Sequence, residues 1–151
     1  MNAQPKPVAN TVFKSGISLR FLINRLMNDS LLPAGQSKSC MVNEISPELQ
    51  MIADEKKIAP VISELLTTVL TNSRNGKIHI TAGRFRDVVI LEIQDRNNYN
   101  GYALAYSILS MQSQATTIGG YITMEGQQQL VTTISFGFPN TPEIPAYAYA
   151  C

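Results

Sequence analysis

Apolar residues recur at helical spacing most clearly between Met51 and Ile80. Seven of them fall three or four positions apart, as on the buried face of an amphipathic helix: Ile58, Val61, Ile62, Leu65, Leu66, Val69 and Leu70. Asp54 offers a side-chain oxygen to cap the start of this helix. Asn75–Gly76 marks the turn that ends it. The pattern therefore predicts a central helix that is followed at once by a strand, Lys77–Ala82.

The central helix also has a polar stripe. Residues spaced by three, four or seven positions return to one face, and four polar residues share such a face: Lys57, Glu64, Thr68 and Thr71. Pro60 interrupts the pattern and leaves two interpretations. Either the helix proper begins near Lys57, or Pro60 removes one backbone hydrogen bond and kinks the helix.

The remaining pattern predicts two further helices and five further strands. The helices cover about 18–32 and 101–112, and the strands cover 39–45, 51–52, 87–94, 121–124 and 130–138. A turn is predicted at 83–86, and the glycine pair 119–120 precedes the next strand. Tight turns between neighbouring strands favour an α+β fold. It is expected to be a two-layer α/β sandwich, with a mixed, mostly antiparallel sheet and helices on one face.

The chain divides into one domain and two terminal segments. Residues 1–14 hold Pro5, Pro7 and few apolar residues, and they are expected to form a flexible N-terminal arm. Residues 15–139 form the predicted domain. Residues 140–151 form a tail rich in Pro, Tyr and Ala. Its extended, polyproline-like spacing is compatible with docking on a partner, but disorder or packing along an edge of the domain is the favoured interpretation.

Composition excludes several classes of function. Twelve basic and eleven acidic residues give a net charge of +1, which argues against nucleic-acid binding and against electrostatic membrane binding. Cys40 and Cys151 have no CxxC spacing, so neither a zinc site nor a redox pair is predicted. The start of the chain lacks the apolar core of a signal peptide, and no apolar run is long enough to span a bilayer. A cytoplasmic protein is expected.

Three segments carry a resemblance to a known family. The central one reads ADEKKIAPVISELLTTVLTNSRNGKIHI, and the later ones read NGYALAYSIL and IGGYITMEG. Together they resemble the N-box region, a later glycine box and the closing strands of the GHKL ATPase superfamily, nearest to the sensor histidine kinases. The resemblance covers about residues 15–139. It implies a Bergerat-type sandwich, with ATP and magnesium as the ligands of the family.

The resemblance also assigns candidate site residues. Glu64 stands at the first N-box position, which in the gyrase-like branch is the general base. Thr68 stands where the family has an asparagine that holds magnesium, and Asp95 matches the aspartate that accepts a hydrogen bond from adenine. Gly101 opens the helix of the glycine box, and free amides at a helix start attract anions. The implied nucleotide-binding residues are therefore Glu64, Thr68, Asp95 and Gly101.

The sequence also departs from the family pattern. A threonine hydroxyl is a weaker magnesium ligand than an amide oxygen, and residues 96–100 replace the glycines that follow the aspartate. The glycine box begins only five residues past Asp95, so the segment that carries the ATP lid is missing. His79 lies within a predicted strand, whereas a phosphoacceptor histidine is expected on an exposed helix.

Two hypotheses for function follow. In the first, the chain is a non-catalytic, pseudokinase-like module of two-component signalling that binds a protein partner and needs no cofactor. In the second, it is an ATP-binding domain whose residual nucleotide binding supports a kinase or ATPase activity. Glu64, Thr68 and Asp95 are then either a remnant nucleotide site or polar residues lining a filled groove. The sequence leaves the oligomeric state open.

Overall fold

The structure is a computed structural model, and it describes residues 16–29 and 38–141. The predicted arm, residues 1–14, lies outside the described residues, as do residues 142–151 of the predicted tail. In chain order the described elements are β1 (Ile17–Ser18), α1 (Leu19–Asp29), β2 (Cys40–Asn43), β3 (Gln50–Met51), α2 (Glu55–Thr71), β4 (Lys77–Phe85), β5 (Val88–Asp95), α3 (Gly101–Leu109), α4 (Gln112–Thr117), β6 (Tyr121–Glu125) and β7 (Thr132–Pro139).

Helix α2 is the predicted central helix, and all seven residues of its apolar stripe are buried. Asp54 caps it, because its Oδ1 accepts the N–H of Lys56 at 3.0 Å. The helix begins at Glu55, two residues before Lys57, and Pro60 lies inside it. Pro60 has no N–H, and the carbonyl of Lys56 therefore lacks its usual helical donor.

No helix in the described ranges is both long and apolar enough to cross a membrane.

The predicted helix over 101–112 is two helices in the structure. At the break, Ser110 N–H donates to Ser107 O at 3.2 Å and Met111 N–H donates to Ile108 O at 2.9 Å. Ser110 Oγ also bonds Ser107 O, which is the local competition with helical bonding that serine offers. These hydrogen bonds, each from residue i to residue i−3, end α3 and redirect the chain. Met111 is buried at the break.

Five strands form one mixed sheet in the order β2-β4-β5-β7-β6. Strand β2 runs parallel to β4, and the other neighbours are antiparallel. Strands β1 and β3 form a separate antiparallel pair. Strand β5 is central, with Ile93 paired to Ile80 on one side and to Ile134 on the other. The predicted mixed, mostly antiparallel sheet is confirmed.

The hairpin between β4 and β5 differs from the predicted turn at 83–86. Strand β4 continues through Phe85, which pairs with Val88. The turn is therefore Arg86–Asp87, and Arg86 adopts a positive φ of 57°. Gly83 lies inside the strand opposite Ile90. The sequence-based turn was wrong because a glycine was taken as a turn signal, although glycine is tolerated within a strand.

Burial alternates along the central strands, so the sheet has one covered face. Its buried residues on β5 and β7 are Val89, Leu91, Ile93, Asp95, Thr132, Ile134, Phe136 and Phe138. The buried residues of α1, α2 and α3 join the apolar ones in a single hydrophobic cluster. Glu92, on the opposite face, is exposed. Helices on one face of a sheet make the predicted two-layer α+β sandwich, which the structure confirms.

Candidate functional site

Glu64 and Thr68 lie one turn apart on α2, as their spacing predicts. Glu64 is exposed to solvent, and Thr68 is half-buried. Thr68 Oγ1 lies 3.9 Å from Met111 Sδ, and Met111 is only 1% exposed at the break between α3 and α4. The hydroxyl of Thr68 is therefore directed at a buried thioether.

Asp95 ends β5 on the covered face of the sheet, with Ile78 and Thr132 as its cross-strand neighbours. The residue is only 3% exposed. Its Oδ1 accepts the backbone N–H of Asn97 at 2.9 Å. Burial raises the pKa of the Asp95 carboxyl above its ordinary value of 3.8, and the Asn97 hydrogen bond offsets part of that rise.

A buried polar cluster surrounds Asp95 at the turn that follows α2. A Cβ on Gly76 would lie 3.0 Å from Asp95 Oδ1, which is closer than most Cβ contacts, so the carboxyl group packs tightly on this glycine. Gly76 N–H donates to Ser39 Oγ at 2.9 Å, and Ser39 Oγ lies 2.6 Å from Ser73 Oγ. Sequence reasoning missed both serines, because the contact joins segments 34 residues apart.

Thr132 is a further buried polar residue that the sequence did not single out. It lies beside Asp95 in the antiparallel register of β5 and β7 and is buried. The inward alternation of β7 was the available signal, since it placed a threonine on the covered face. Which residue lies beside Thr132 depends on the register between β5 and β7, and no sequence pattern fixes that register.

The loop Arg96–Asn100, which follows Asp95, is bonded to the turn after α2. Asn97 Nδ2 donates to Arg74 O at 3.2 Å and to Asn75 O at 3.1 Å. The guanidinium of Arg74 lies 4.9 Å from the centre of the Tyr99 ring, a cation–π distance. These contacts join the loop to the turn after α2, next to the buried carboxyl group of Asp95.

A second set of bonds joins the loop to the connection between β6 and β7. Asn98 N–H donates to Leu130 O at 2.8 Å. Its side-chain amide donates to Gln127 O at 2.8 Å and to Gln129 O at 2.7 Å. The loop is therefore held on both sides by asparagine side chains that donate to backbone carbonyls.

Gly101 begins α3 and is buried against the same connection. A Cβ at Gly101 would lie 2.2 Å from Gln127 O, so the carbonyl oxygen of Gln127 packs directly on the start of the helix. Asn100 Oδ1 caps the helix by accepting the N–H of Ala103. The Asn100 side chain therefore already occupies one of the N–H groups that could bind an anion at this helix start.

The four predicted site residues fall into two pairs. Helix α2 brings Glu64 and Thr68 together, and the short loop brings Asp95 and Gly101 close in the chain. Within residues 16–29 and 38–141, no hydrogen bond links one pair to the other. The roles assigned to these residues stay predictions.

Comparison with known proteins identifies the fold. No protein-family model matches the chain, and no curated protein sequence matches it. Among solved structures, a histidine kinase from Burkholderia phymatum STM815 matches with a TM-score of 0.68 and 11% identity, covering 90% of this chain and 76% of that one. The catalytic domain of histidine kinase ThkA matches with a TM-score of 0.65 and 19% identity, covering 83% and 94%. This chain has the fold of a histidine kinase catalytic domain.

Longer histidine kinases contain the same fold as one part. AdeS from Acinetobacter baumannii matches with a TM-score of 0.66 and 14% identity, and the chain spans 82% of its own length but 66% of AdeS. It spans 41% of a ThkA structure solved in complex with the response regulator protein TrrA, at 21% identity. It spans 32% of full-length ShkA, solved in complex with AMPPNP, at 13% identity. The resemblance seen in the sequence is thus confirmed for the histidine kinase fold.

The residues at the candidate site do not fit magnesium and ATP in the way the resemblance implies. An aspartate that is 3% exposed offers a ligand almost no accessible oxygen. Magnesium requires oxygen ligands, whereas the atom facing Thr68 is a soft thioether sulphur. The described residues also contain no group of three His, Cys, Asp or Glu side chains able to hold a metal ion.

Proposed function

We propose that the chain is a non-catalytic module with the histidine kinase fold, which acts in signal transduction by binding a protein partner. The observation that carries this proposal is the asparagine-rich loop Arg96–Asn100. The loop is bonded to Arg74, Asn75 and the β6–β7 connection, and Asp95, which directly precedes it, is only 3% exposed. A nucleotide base would have to displace this bonded loop before it reached the carboxyl group.

The surroundings of Thr68, the predicted magnesium ligand, support the same proposal. Thr68 faces Met111 Sδ, and Met111 packs in the hydrophobic cluster. Opening that contact for a hydrated cation would expose buried apolar surface, which is unfavourable. Glu64 is exposed on α2, so it is available to a protein that docks on this face of the helix.

The comparisons suggest the class of protein partner, which is part of the proposal. ThkA has been solved in complex with a response regulator protein, so a two-component signalling protein is the proposed partner, and the cytoplasm is the proposed location. Binding by none of a panel of purified response regulators, measured by calorimetry, would contradict the partner half of the proposal.

The nucleotide half is tested by thermal unfolding with and without magnesium and AMPPNP. A ligand at a hundred times its dissociation constant adds about 2.7 kcal/mol, which would raise the Tm of a domain this size by roughly 5–10 °C. We expect no measurable shift. A shift in the unmodified chain that disappears in Asp95→Asn would overturn the proposal and identify Asp95 as a nucleotide ligand.

A second candidate function, residual ATP binding, is favoured by the retention of Asp95 at the end of β5. Asn97→Ala separates the two candidates, because it removes the side-chain bonds to Arg74 O and Asn75 O and keeps the backbone bond to Asp95. A Tm shift with AMPPNP that appears only in Asn97→Ala would show that the loop alone excludes nucleotide. The absence of a shift in both chains would show that the remaining site has lost nucleotide binding as well.

A further inference from the structure

A groove of about 400 Å³ lies between α3 and β6. We call it the tyrosine groove, because Tyr102 and Tyr106 line it together with Leu109 on the helix and Ile122 and Met124 on the strand. None of the described residues that line it carries a charge. Burial of an unpaired charge is costly, so the tyrosine groove suits an uncharged segment.

The helix wall of the groove leaves large apolar side chains uncovered. Tyr102, Tyr106 and Leu109 are spaced by four and three residues, so they form one stripe on α3. Their exposed fractions are 64%, 79% and 68%. Such a contiguous stripe on a folded domain is typical of an interaction site.

The strand wall of the groove is a free sheet edge. Strand β6 is the last strand of the sheet, and its described partner lies on one side only. Gln112 Nε2 donates to Ile122 O, so a backbone carbonyl of β6 points into the groove. A carbonyl has two lone pairs, so Ile122 O keeps one for a second donor, and no described strand pairs with this side of β6, which can therefore accept an added strand.

The segment that follows the described residues has the matching chemistry. Residues 144–151 read IPAYAYAC and contain no charged side chain. In an extended strand Tyr147 and Tyr149 point to the same side, and the alanines between them leave the other side narrow. Two tyrosines on one side of a strand complement a wall of Tyr102, Tyr106 and Leu109, because aromatic pairs are favourable in offset or edge-to-face contact.

The same segment begins within reach of the groove. Thr141 lines a small cleft with Thr117 and Ile118, and these residues lead through Gly119 into β6. A strand added beside β6 would lie about 10 Å from β7, since neighbouring strands are about 4.8 Å apart. Residues 142–145 span up to about 14 Å when extended. The connection is therefore long enough within one chain.

We propose that residues 146–150 dock in the tyrosine groove of their own chain as a strand beside β6, with Tyr147 and Tyr149 packed against α3. The tail then covers the apolar surface that a protein partner would otherwise meet, and a partner for this surface must displace it. This proposal does not depend on whether the chain binds nucleotide.

The test uses Cys151 of the full chain as the attachment point for a nitroxide spin label, with Cys40→Ser to remove the other cysteine. Paramagnetic broadening of backbone amide signals in NMR spectra then reports which surface the tail visits. We expect strong broadening at Tyr106, Leu109 and Met124, and none at Met41 or Val42 on the opposite sheet edge. Tyr147→Ser combined with Tyr149→Ser should abolish the broadening at the groove, while the matched control Ala146→Ser combined with Ala148→Ser should retain it.

Three results would overturn the proposal. The first is equal broadening over the whole surface or no broadening, which would show that the tail does not dock. The second is groove broadening that persists in the double tyrosine variant. The third comes from a mixture of two kinds of chain: isotope-labelled chains without cysteine, and spin-labelled chains without isotope label. Broadening at the groove of the isotope-labelled chains would place the tail in the groove of a second copy.

Discussion

At the residue scale, Asp95 combines deep burial with a single described hydrogen bond to its carboxyl group, from Asn97 N–H. Burial disfavours the charged form, so its pKa is raised above 3.8. The folded chain therefore holds this proton more tightly than the unfolded chain does. Its contribution to stability is fully present below the unfolded-state pKa and is lost as the pH rises through the folded-state pKa.

This sign gives a prediction for pH dependence. Relative to Asp95→Asn, the free energy of unfolding of the unmodified chain should fall as the pH rises from about 3 to about 7, because asparagine keeps an acceptor for Asn97 N–H without the charge. Urea denaturation of both chains across that range measures the difference. Parallel pH profiles for the two chains would contradict a raised pKa for Asp95.

Gly76 gives a second prediction at the residue scale. In Gly76→Ala the new Cβ would lie 3.0 Å from Asp95 Oδ1 and 3.2 Å from Ser39 Oγ, so we expect a loss of about 1–3 kcal/mol in the free energy of unfolding. Gly83→Ala is the matched control, because no heavy atom lies within 4 Å of its added Cβ. Its stability should stay within about 0.5 kcal/mol of the parent or rise. Equal effects of the two substitutions in denaturant titrations would refute close packing at Gly76.

At the element scale, α2 could be predicted because its seven apolar residues repeat at local spacing. The sequence left two interpretations of Pro60, a helix that begins near Lys57 or a kink at Pro60. A proline inside a helix costs about 3 kcal/mol, whereas burial of each large apolar side chain is worth about 1.5–3 kcal/mol. Six of the seven stripe residues follow Pro60, so in the turn before it the burial of Ile58 and the Asp54 cap offset this cost, and the helix begins at Glu55.

Other elements depended on contacts that the sequence pattern does not reveal. The break between α3 and α4 follows from the hydrogen bonds that Ser110 and Met111 each donate to the residue three positions earlier. The spacing of Glu64 and Thr68 is local and was predictable, but the bonding of the loop after Asp95 was not. It requires Asn97 to bond residues 22 and 23 positions away and Asn98 to bond Gln129, which is 31 positions away.

At the scale of the whole molecule, Asn140 fastens the end of β7 to the segment before α2. Its Oδ1 accepts the N–H of Ile52 at 2.7 Å and that of Ala53 at 3.3 Å. Its Nδ2 donates to Gln50 O at 3.1 Å. Asn140 is also buried, so the folded domain includes this first residue of the predicted tail.

We predict that Asn140→Ala lowers the free energy of unfolding by about 2–4 kcal/mol, because it removes three bonds and leaves partly buried backbone groups unpaired. Thr141→Ala, at an exposed neighbour, is the control and should change stability by less than about 0.5 kcal/mol. Chemical denaturation followed by circular dichroism measures both. A small effect of Asn140→Ala would show that water replaces the lost bonds.

The turn at Asn75–Gly76 also bears on the chemical ageing of the protein. In an Asn-Gly step, deamidation starts when the glycine amide nitrogen attacks the asparagine side chain. Here that nitrogen belongs to a buried residue and donates to Ser39 Oγ, and Asn75 is held at a positive φ of 52°. The hydrogen bond to Ser39 Oγ thus engages the Gly76 amide that would attack the Asn75 side chain. Asn75 should therefore resist conversion to aspartate for as long as the chain stays folded.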